Sequence, residues 1–295
     1  MKIAVVGANG QLGTDLVSAF AAHGDFVHGL THAEIEISNP DSVSAVIEGI
    51  RPNVIVNTAA AHHVENCERE PAKAFAVNAL GAKNLAVTAR NSGAVLMHVS
   101  TDYVFDGKKG QPYVEDDNPL PLNAYGITKL AGEHFIRATT DRYFVIRSSG
   151  LYGASLCRAK GGLNFVELML KLAKERGEVR VVDSEFVTPT STVELAEQIV
   201  RLSQSDAYGL YHATAEGSCS WYEFAREIFQ ATNTPVRLNV AGPNEFPAKV
   251  PRPKYSVLEN RALKNRGLNM FRPWQEGLHA YLAQRVEPAS VHVGT

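Results

Sequence analysis

Cysteine is scarce in this sequence: three among 295 residues, at Cys67, Cys157 and Cys219, far apart and without a Cys-x-x-Cys pair. That spacing argues against a zinc site and a disulfide framework and leaves reduced, mostly buried thiols as the expectation. Long apolar runs are missing as well. Nothing approaches the roughly 20 apolar residues that cross a bilayer. Met1–Val6 reaches Gly7 without the hydrophobic length or cleavage pattern of a signal peptide. A soluble, cytoplasmic chain with no membrane partner is therefore expected. An excess of one charge sign is also absent. Lys and Arg number 29 against 31 Asp and Glu, a formal net charge of −2, so there is no general drive toward a nucleic acid polymer. No internal repeat or low-complexity tract is present. What remains is a chain 45% hydrophobic, enough for a full core in one large or two modest domains, with a small molecule as the expected partner.

The first half alternates short apolar runs with helical patterns. Ile3–Val6, Phe26–Leu30, Val54–Asn57 and Val95–Ser100 read as strands; Leu12–Ala22, Ser42–Ile50 and one long segment over Pro71–Asn91 read as helices. The strand runs are continuously apolar rather than alternating, which suits strands covered on both faces of a parallel sheet with βαβ crossovers. A polar stretch follows Lys108-Lys109-Gly110, then a helix near Asn123–Arg137 and a strand at Tyr143–Arg147. Helices near Asn164–Arg176, Ser191–Ser203 and Ser220–Thr232 follow, with strands near Val179–Val182 and Gly209–Ala213. Ser191-x-x-Glu194 and Ser220-x-x-Glu223 have the form of capping boxes. Pro243, Pro247, Pro251 and Pro253 mark an extended segment. The expected architecture is an α/β, doubly wound parallel sheet over residues 1–147, a cofactor-binding half. A smaller α/β substrate lobe follows over residues 148–295, with segments of about 179–213 returning to the first half.

Three constellations carry chemistry. Gly7-Ala8-Asn9-Gly10-Gln11-Leu12-Gly13 joins the first strand to the first helix. Its glycines permit a tight turn and close approach of backbone to a pyrophosphate seated on the helix N-terminus. At the end of the second strand, where a carboxylate would grip an adenosine ribose, the chain reads Leu30-Thr31-His32. The 2′-phosphate of NADP is then not excluded, which favours NADPH and leaves NADH open as well. His32 reads equally well as an exposed loop residue. The second constellation is Tyr125-x-x-x-Lys129, two residues on one helical face. An ammonium beside a phenol, together with a nicotinamide cation, would favour the phenolate and make the pair a proton relay for carbonyl and alcohol chemistry. The third is His98-Val99-Ser100-Thr101-Asp102-Tyr103 at the end of an apolar strand. Thr101 there can hold a carbonyl oxygen, or the hydroxyls can simply bond their own turn.

These residues, with Val54–Ala61, Ser100–Gly107, Pro119–Glu133, Gly209–His212, Ser220–Ala225, Arg252-Pro253 and Arg272-Pro273-Trp274, make the chain resemble the extended short-chain dehydrogenase/reductase superfamily. Within it the resemblance is to the dTDP-4-dehydrorhamnose reductases, and it covers nearly the whole chain. It implies a Rossmann-like fold and NAD(P)H-dependent reduction of the C4 keto group of a 4-keto-6-deoxy nucleotide sugar, dTDP-4-dehydro-L-rhamnose going to dTDP-L-rhamnose. It implies Tyr125 as proton donor, Lys129 as its tuner and ribose ligand, and Thr101 as the group that positions the carbonyl. Asp102 and Tyr103 would contact the sugar, and Ala59, Ala60 and Ala61 would line the cofactor channel. Asn164 and Arg252 would lie near the diphosphate, with Arg158 or Lys160 as further basic groups.

Two departures bear on the sugar. The family usually carries a tryptophan after the strand ending at Arg147, where this chain has Ser148-Ser149-Gly150, and the Ala154–Gly162 loop is long and basic. Some family members bind magnesium at a dimer contact. Asp15 and Glu194 fall at matching places, but helix-end explanations suffice for both and no metal is expected. His62-His63 with Glu65 and Cys67 reads as a loop beside the cofactor rather than a zinc site. Homodimerisation is left open. The competing readings are a nucleotide-sugar epimerase or dehydratase, and a non-catalytic NADP-binding regulatory subunit.

Overall fold

The computed structural model describes residues 1–155, 162–242, 245–246 and 249–285. Cys157, Arg158, Lys160, Pro243 and Pro247 lie outside the described residues. In chain order the elements begin β1 (Lys2–Val6), α1 (Gln11–Ala22), β2 (Phe26–Leu30), α2 (Pro40–Ile50), β3 (Val54–Asn57), α3 (Val64–Arg69), α4 (Pro71–Phe75), α5 (Gly81–Ser92) and β4 (Val95–Thr101). They continue α6 (Ala124–Thr139), β5 (Tyr143–Ser148), β6 (Leu151–Tyr152), α7 (Phe165–Arg176), β7 (Glu178–Val181), β8 (Phe186–Val187), β9 (Thr190–Ser191), α8 (Thr192–Ser203) and β10 (Gly209–His212). The last are β11 (Cys219–Ser220), α9 (Trp221–Ala231), β12 (Arg237–Val240), α10 (Arg261–Asn265) and α11 (Trp274–Gln284).

Six strands form one sheet in the order β10-β5-β4-β3-β1-β2, and every pairing in it is parallel. This is the doubly wound arrangement expected from the continuously apolar strands. Both faces are covered. On one, Leu16 and Phe20 of α1 and Leu195 and Ile199 of α8 meet Val5, Val56 and Met97. On the other, Val43 and Ile47 of α2 and Leu85 and Ala89 of α5 meet Ala4, Ile55 and Leu96. A third apolar cluster gathers α7, α9 and α11 around Phe224, Ile228 and Trp274. The chain reverses direction along the sheet between β1 and β3, so the residues just beyond their carboxyl ends face one crevice.

Two local readings need correction. The segment expected as one helix over Pro71–Asn91 is α4 and α5 joined by a π-helical turn, Ala76–Leu80, and the short helix α3 precedes it. The cause is Asn78. Its Nδ2 donates to Ala61 O at 2.9 Å and to Thr128 Oγ1 at 3.0 Å, while its Oδ1 accepts from Ala61 N at 2.8 Å. Wide turns of this kind occur mostly at functional sites, and this one fixes the loop after β3 against α6. Gly132 permits that contact, since a Cβ there would lie 2.4 Å from Asn78 O. The second correction concerns the caps. Ser220 and Glu223 do form a reciprocal capping box on α9. Ser191 makes no side-chain cap on α8, and the Glu194 carboxylate that would complete the box pairs with Arg272, 2.7 Å away.

Candidate active site

The carboxyl ends of β1, β3, β4 and β5 open onto a cavity of about 460 Å³. At its floor the chain leaves β1 at Gly7, whose N–H is tied to Leu30 O at 2.8 Å and whose φ is +85°. No side chain can stand there: a Cβ would lie 2.7 Å from Thr58 Oγ1 and 2.9 Å from Ala59 N. Gly13 is under the same constraint, its notional Cβ falling 2.1 Å from Gly7 O. Loop and helix α1 are therefore in backbone contact. Gly10 caps α1 with no side chain of its own bonded to the helix, so the first-turn N–H groups stay available to an anion. This cradle fits the diphosphate of a dinucleotide. Gly10, Gln11, Leu12, Gly13, Thr58 and Ala60 line the cavity; Ala59 and Ala61 support it from behind through Asn57 Oδ1 and Asn78 Oδ1.

Thr31 and His32 lie off this cavity at the end of β2, and His32 is exposed against Glu36 at 3.1 Å. The sequence places no carboxylate at that strand end, yet the fold brings one there. Glu34 Oε2 accepts from Thr31 N at 2.7 Å and from its hydroxyl at 2.5 Å.

Thr101, Asp102, Tyr103, Tyr125 and Lys129 converge on the opposite wall. Tyr125 and Lys129 come from the first turns of α6, which Asn123 caps by accepting from Gly126 N at 2.9 Å. Gly126 lets that turn sit on Tyr103 O, where a Cβ would be 2.2 Å away. The rings of Tyr103 and Tyr125 meet edge to face, centroids 5.8 Å apart.

The electrostatics correct one expectation. Burial pushes the Tyr125 phenol well above its ordinary value, with the facing Thr101 hydroxyl pulling the other way. No phenolate is prepared by an adjacent ammonium. Lys129 Nζ turns instead to β4, 2.7 Å from Val99 O and 3.1 Å from His98 Nε2, and its pKa falls to about 8 through burial, opposed by Glu133. Tyr125 is a phenol that keeps its proton. Thr101 shows the local reading: its Oγ1 accepts from Tyr103 N at 3.2 Å and donates to Asp102 Oδ1 at 3.1 Å, both within its own turn. Asp102 is buried behind it, also accepting from Ser149 at 3.0 Å, and burial raises its pKa to about 6.

Arg252 reaches the cavity from the second half of the chain and binds Glu65 Oε1 at 2.5 Å. Asn164 does not reach it. Its Oδ1 caps α7 and its Nδ2 donates to Gly153 O at 2.8 Å and Tyr281 Oη at 3.0 Å, which spends both amide hydrogens. Asn9 also lies off the lining. His63 caps α3, accepting from Asn66 N at 3.3 Å, and Cys67 donates to Ala61 O. Among the described residues no group of three His, Cys, Asp or Glu is disposed to hold a metal, and no helix is long and apolar enough to cross a membrane. Asp15 accepts from Thr192 at 2.5 Å.

Two pairings escape the motif reading. Asn57 and His98 form a buried contact at 2.9 Å behind Lys129. Phe165 and Trp221, centroids 4.7 Å apart, make an aromatic wall in the substrate half. A polar residue inside each of two apolar strands was the available signal for the first pair; the aromatic wall unites residues 56 positions apart and left none.

The model of the family described as RmlD substrate binding domain matches residues 1–286. A Bacillus subtilis (strain 168) relative, spore coat polysaccharide biosynthesis protein SpsK, is 41% identical over 96% of this chain and 98% of its own. A crystal structure of a dTDP-4-dehydrorhamnose reductase from Clostridium acetobutylicum superposes with a TM-score of 0.91 at 40% identity, covering 96% of this chain and 99% of that one. The dTDP-4-dehydrorhamnose reductase from Bacillus anthracis, solved in complex with NADP, gives 0.92 at 37% identity, with coverage of 96% and 99%.

Proposed function

Since the chain belongs to the dTDP-4-dehydrorhamnose reductase family of the extended short-chain dehydrogenase/reductases, we propose that it is an NADPH-dependent oxidoreductase acting on a nucleotide sugar. It reduces the C4 keto group of a 4-keto-6-deoxy sugar, with dTDP-4-dehydro-L-rhamnose as substrate and dTDP-L-rhamnose as product. The observation that carries this reading is the convergence of Thr101, Tyr125 and Lys129 on a cavity whose floor is a glycine cradle. The Gly10–Gly13 turn and Ala60 hold the cofactor, which supplies the hydride.

The chain's own groups do the rest. Thr101 turns its hydroxyl hydrogen from Asp102 Oδ1 to the carbonyl oxygen and orients it. Tyr125, kept protonated by burial, gives its proton to that oxygen as negative charge develops there, the task of a general acid. Lys129 holds the adjoining ribose. The Arg252 guanidinium faces the substrate diphosphate, for which its planar donor fork is suited; Glu65 holds that fork in place beforehand. The second half of the chain adds Phe165, Trp221 and Arg252 to the sugar-nucleotide wall. Such an enzyme works in the cytoplasm, where reduced cofactor is made.

Replacing Tyr125→Phe tests this reading. Turnover should drop by about 10²- to 10⁴-fold, the usual worth of a positioned acid, while NADPH affinity stays within a few-fold. NADPH absorbance should fall in step with product, which a hydride-recycling epimerase would not produce. Retained turnover in the variant would overturn the assignment.

A further inference from the structure

Lys129 belongs to a buried chain of hydrogen bonds, and the direction of each bond can be followed. The Ala59 N–H donates to Asn57 Oδ1 at 3.1 Å. A backbone N–H is only a donor, so this end of the amide is the oxygen and the other end, Nδ2, carries hydrogens. Nδ2 lies 2.9 Å from His98 Nδ1, which must accept. A neutral imidazole that accepts at Nδ1 has its proton on Nε2. Nε2 faces Lys129 Nζ at 3.1 Å. The bond across that gap then runs from histidine to lysine, into a lone pair that an amine has and an ammonium lacks. Lys129 still donates to Val99 O at 2.7 Å. An imidazolium is disfavoured by burial, and it would set two donors face to face at Asn57.

We propose that His98, oriented by Asn57, is a positioning residue that holds Lys129 as an uncharged amine in the cofactor-free protein, so that charging of the lysine is tied to filling of the site. This rests on the reductase reading for its purpose. Once Tyr125 has given its proton to the sugar oxygen, the phenolate must regain one. Lys129, one turn along the same helix face, returns it: an Nζ–H bond breaks, the Tyr125 O–H bond forms, and the amine left behind is the form that His98 Nε2–H already accommodates. Solvent supplies the proton that recharges the lysine for the next cycle.

Burial, opposed by Glu133, leaves the two forms of Lys129 close in energy. A pKa of about 8 corresponds at pH 7 to a tenfold ratio, about 1.4 kcal/mol, small enough for the direction of one buried bond to reverse. The charged neighbours are few. Glu133, one turn on, favours the ammonium, but it is shared with Arg147 of β5 at 2.7 Å and with Ser100 at 2.5 Å. From β4 the facing group is His98, and Tyr125 on α6 is neutral.

The test is nitrogen-15 NMR on the full 295-residue chain without ligands. Two-bond correlations of the His98 ring should show Nε2 protonated and Nδ1 bare, and the Lys129 Nζ resonance should stand at the amine position at pH 7. A protonated Nδ1, or an ammonium that persists through pH 8, overturns the proposal. In Asn57→Ala, which removes the fixed donor without adding charge, the Lys129 midpoint should rise by about one pH unit, a tenfold change; an unmoved midpoint also overturns it. Because both readouts are taken on the free protein, they fail or succeed independently of NADPH turnover, which judges the reductase reading.

Discussion

Substitution of Gly13 by alanine should disable the cofactor cradle while sparing the fold. The added Cβ would sit 2.1 Å from Gly7 O and 2.9 Å from Ala8 Cα. Neither is the tip of a flexible side chain, so backbone must move. Reaching a tight but tolerable contact requires α1 and the loop to separate by about 1 Å, an overpacking expected to cost about 1–3 kcal/mol. The separation removes first-turn N–H groups from their places. A hydrogen bond to a charged group contributes about 1.5–3 kcal/mol, so misplacing one weakens cofactor binding by about 10- to 100-fold. Gly49→Ala on α2 is the internal control, because a Cβ there meets nothing within 4 Å and the residue is not in the cavity lining; binding there should change by no more than about threefold. Fluorescence titration with NADPH, alongside thermal melting, separates the two effects. If Gly13→Ala binds NADPH as tightly as the parent, the contact between loop and helix is not what forms the phosphate seat, and the argument from the glycines falls.

Two further outcomes follow from buried or folded-back carboxylates. Asp102 has a native pKa of about 6 against an ordinary 3.8, so the folded state prefers the protonated acid. Its contribution is fully present below about pH 4 and is lost as pH rises through 6, a swing of about 3 kcal/mol. Asp102→Asn should remove that swing, so that denaturant unfolding at pH 4 and pH 7.5 shows the variant gaining on the parent with rising pH; parallel curves would contradict it. Glu34 stands at the end of β2, bound to Thr31. Its negative charge opposes a 2′-phosphate there, and Glu34→Gln should raise the ratio of kcat/KM for NADPH over NADH by about threefold, whereas an unchanged ratio would mean that the carboxylate does not face the ribose.

Much of this was open to the sequence because it rests on local rules. Continuous apolar runs dictated a covered parallel sheet, and glycine spacing located the cradle within one strand-to-helix turn. Four-residue spacing put Tyr125 and Lys129 on one face of α6. What stayed hidden depends on contacts between distant segments. Asn78 widens its helix because Ala61 and Thr128 compete for its amide. Glu194, expected in a capping box on α8, pairs with Arg272, 78 residues on. Asn164 looked like a diphosphate ligand, but its amide is consumed by Gly153 and Tyr281. The Lys129 ammonium was expected beside a phenol, and strand β4 outbids it with a carbonyl and an imidazole.

Gly150 stands where relatives are expected to carry a tryptophan, and its backbone explains why the difference is hard to reverse. Its φ is +59°, and a Cβ would lie 3.0 Å from both Pro189 Cα and Thr188 O. The main chain here takes a course that strains any side chain at this position. A tryptophan at 150 would therefore require the 188–189 segment to shift, and the aromatic surface of the cavity comes instead from Phe165 and Trp221.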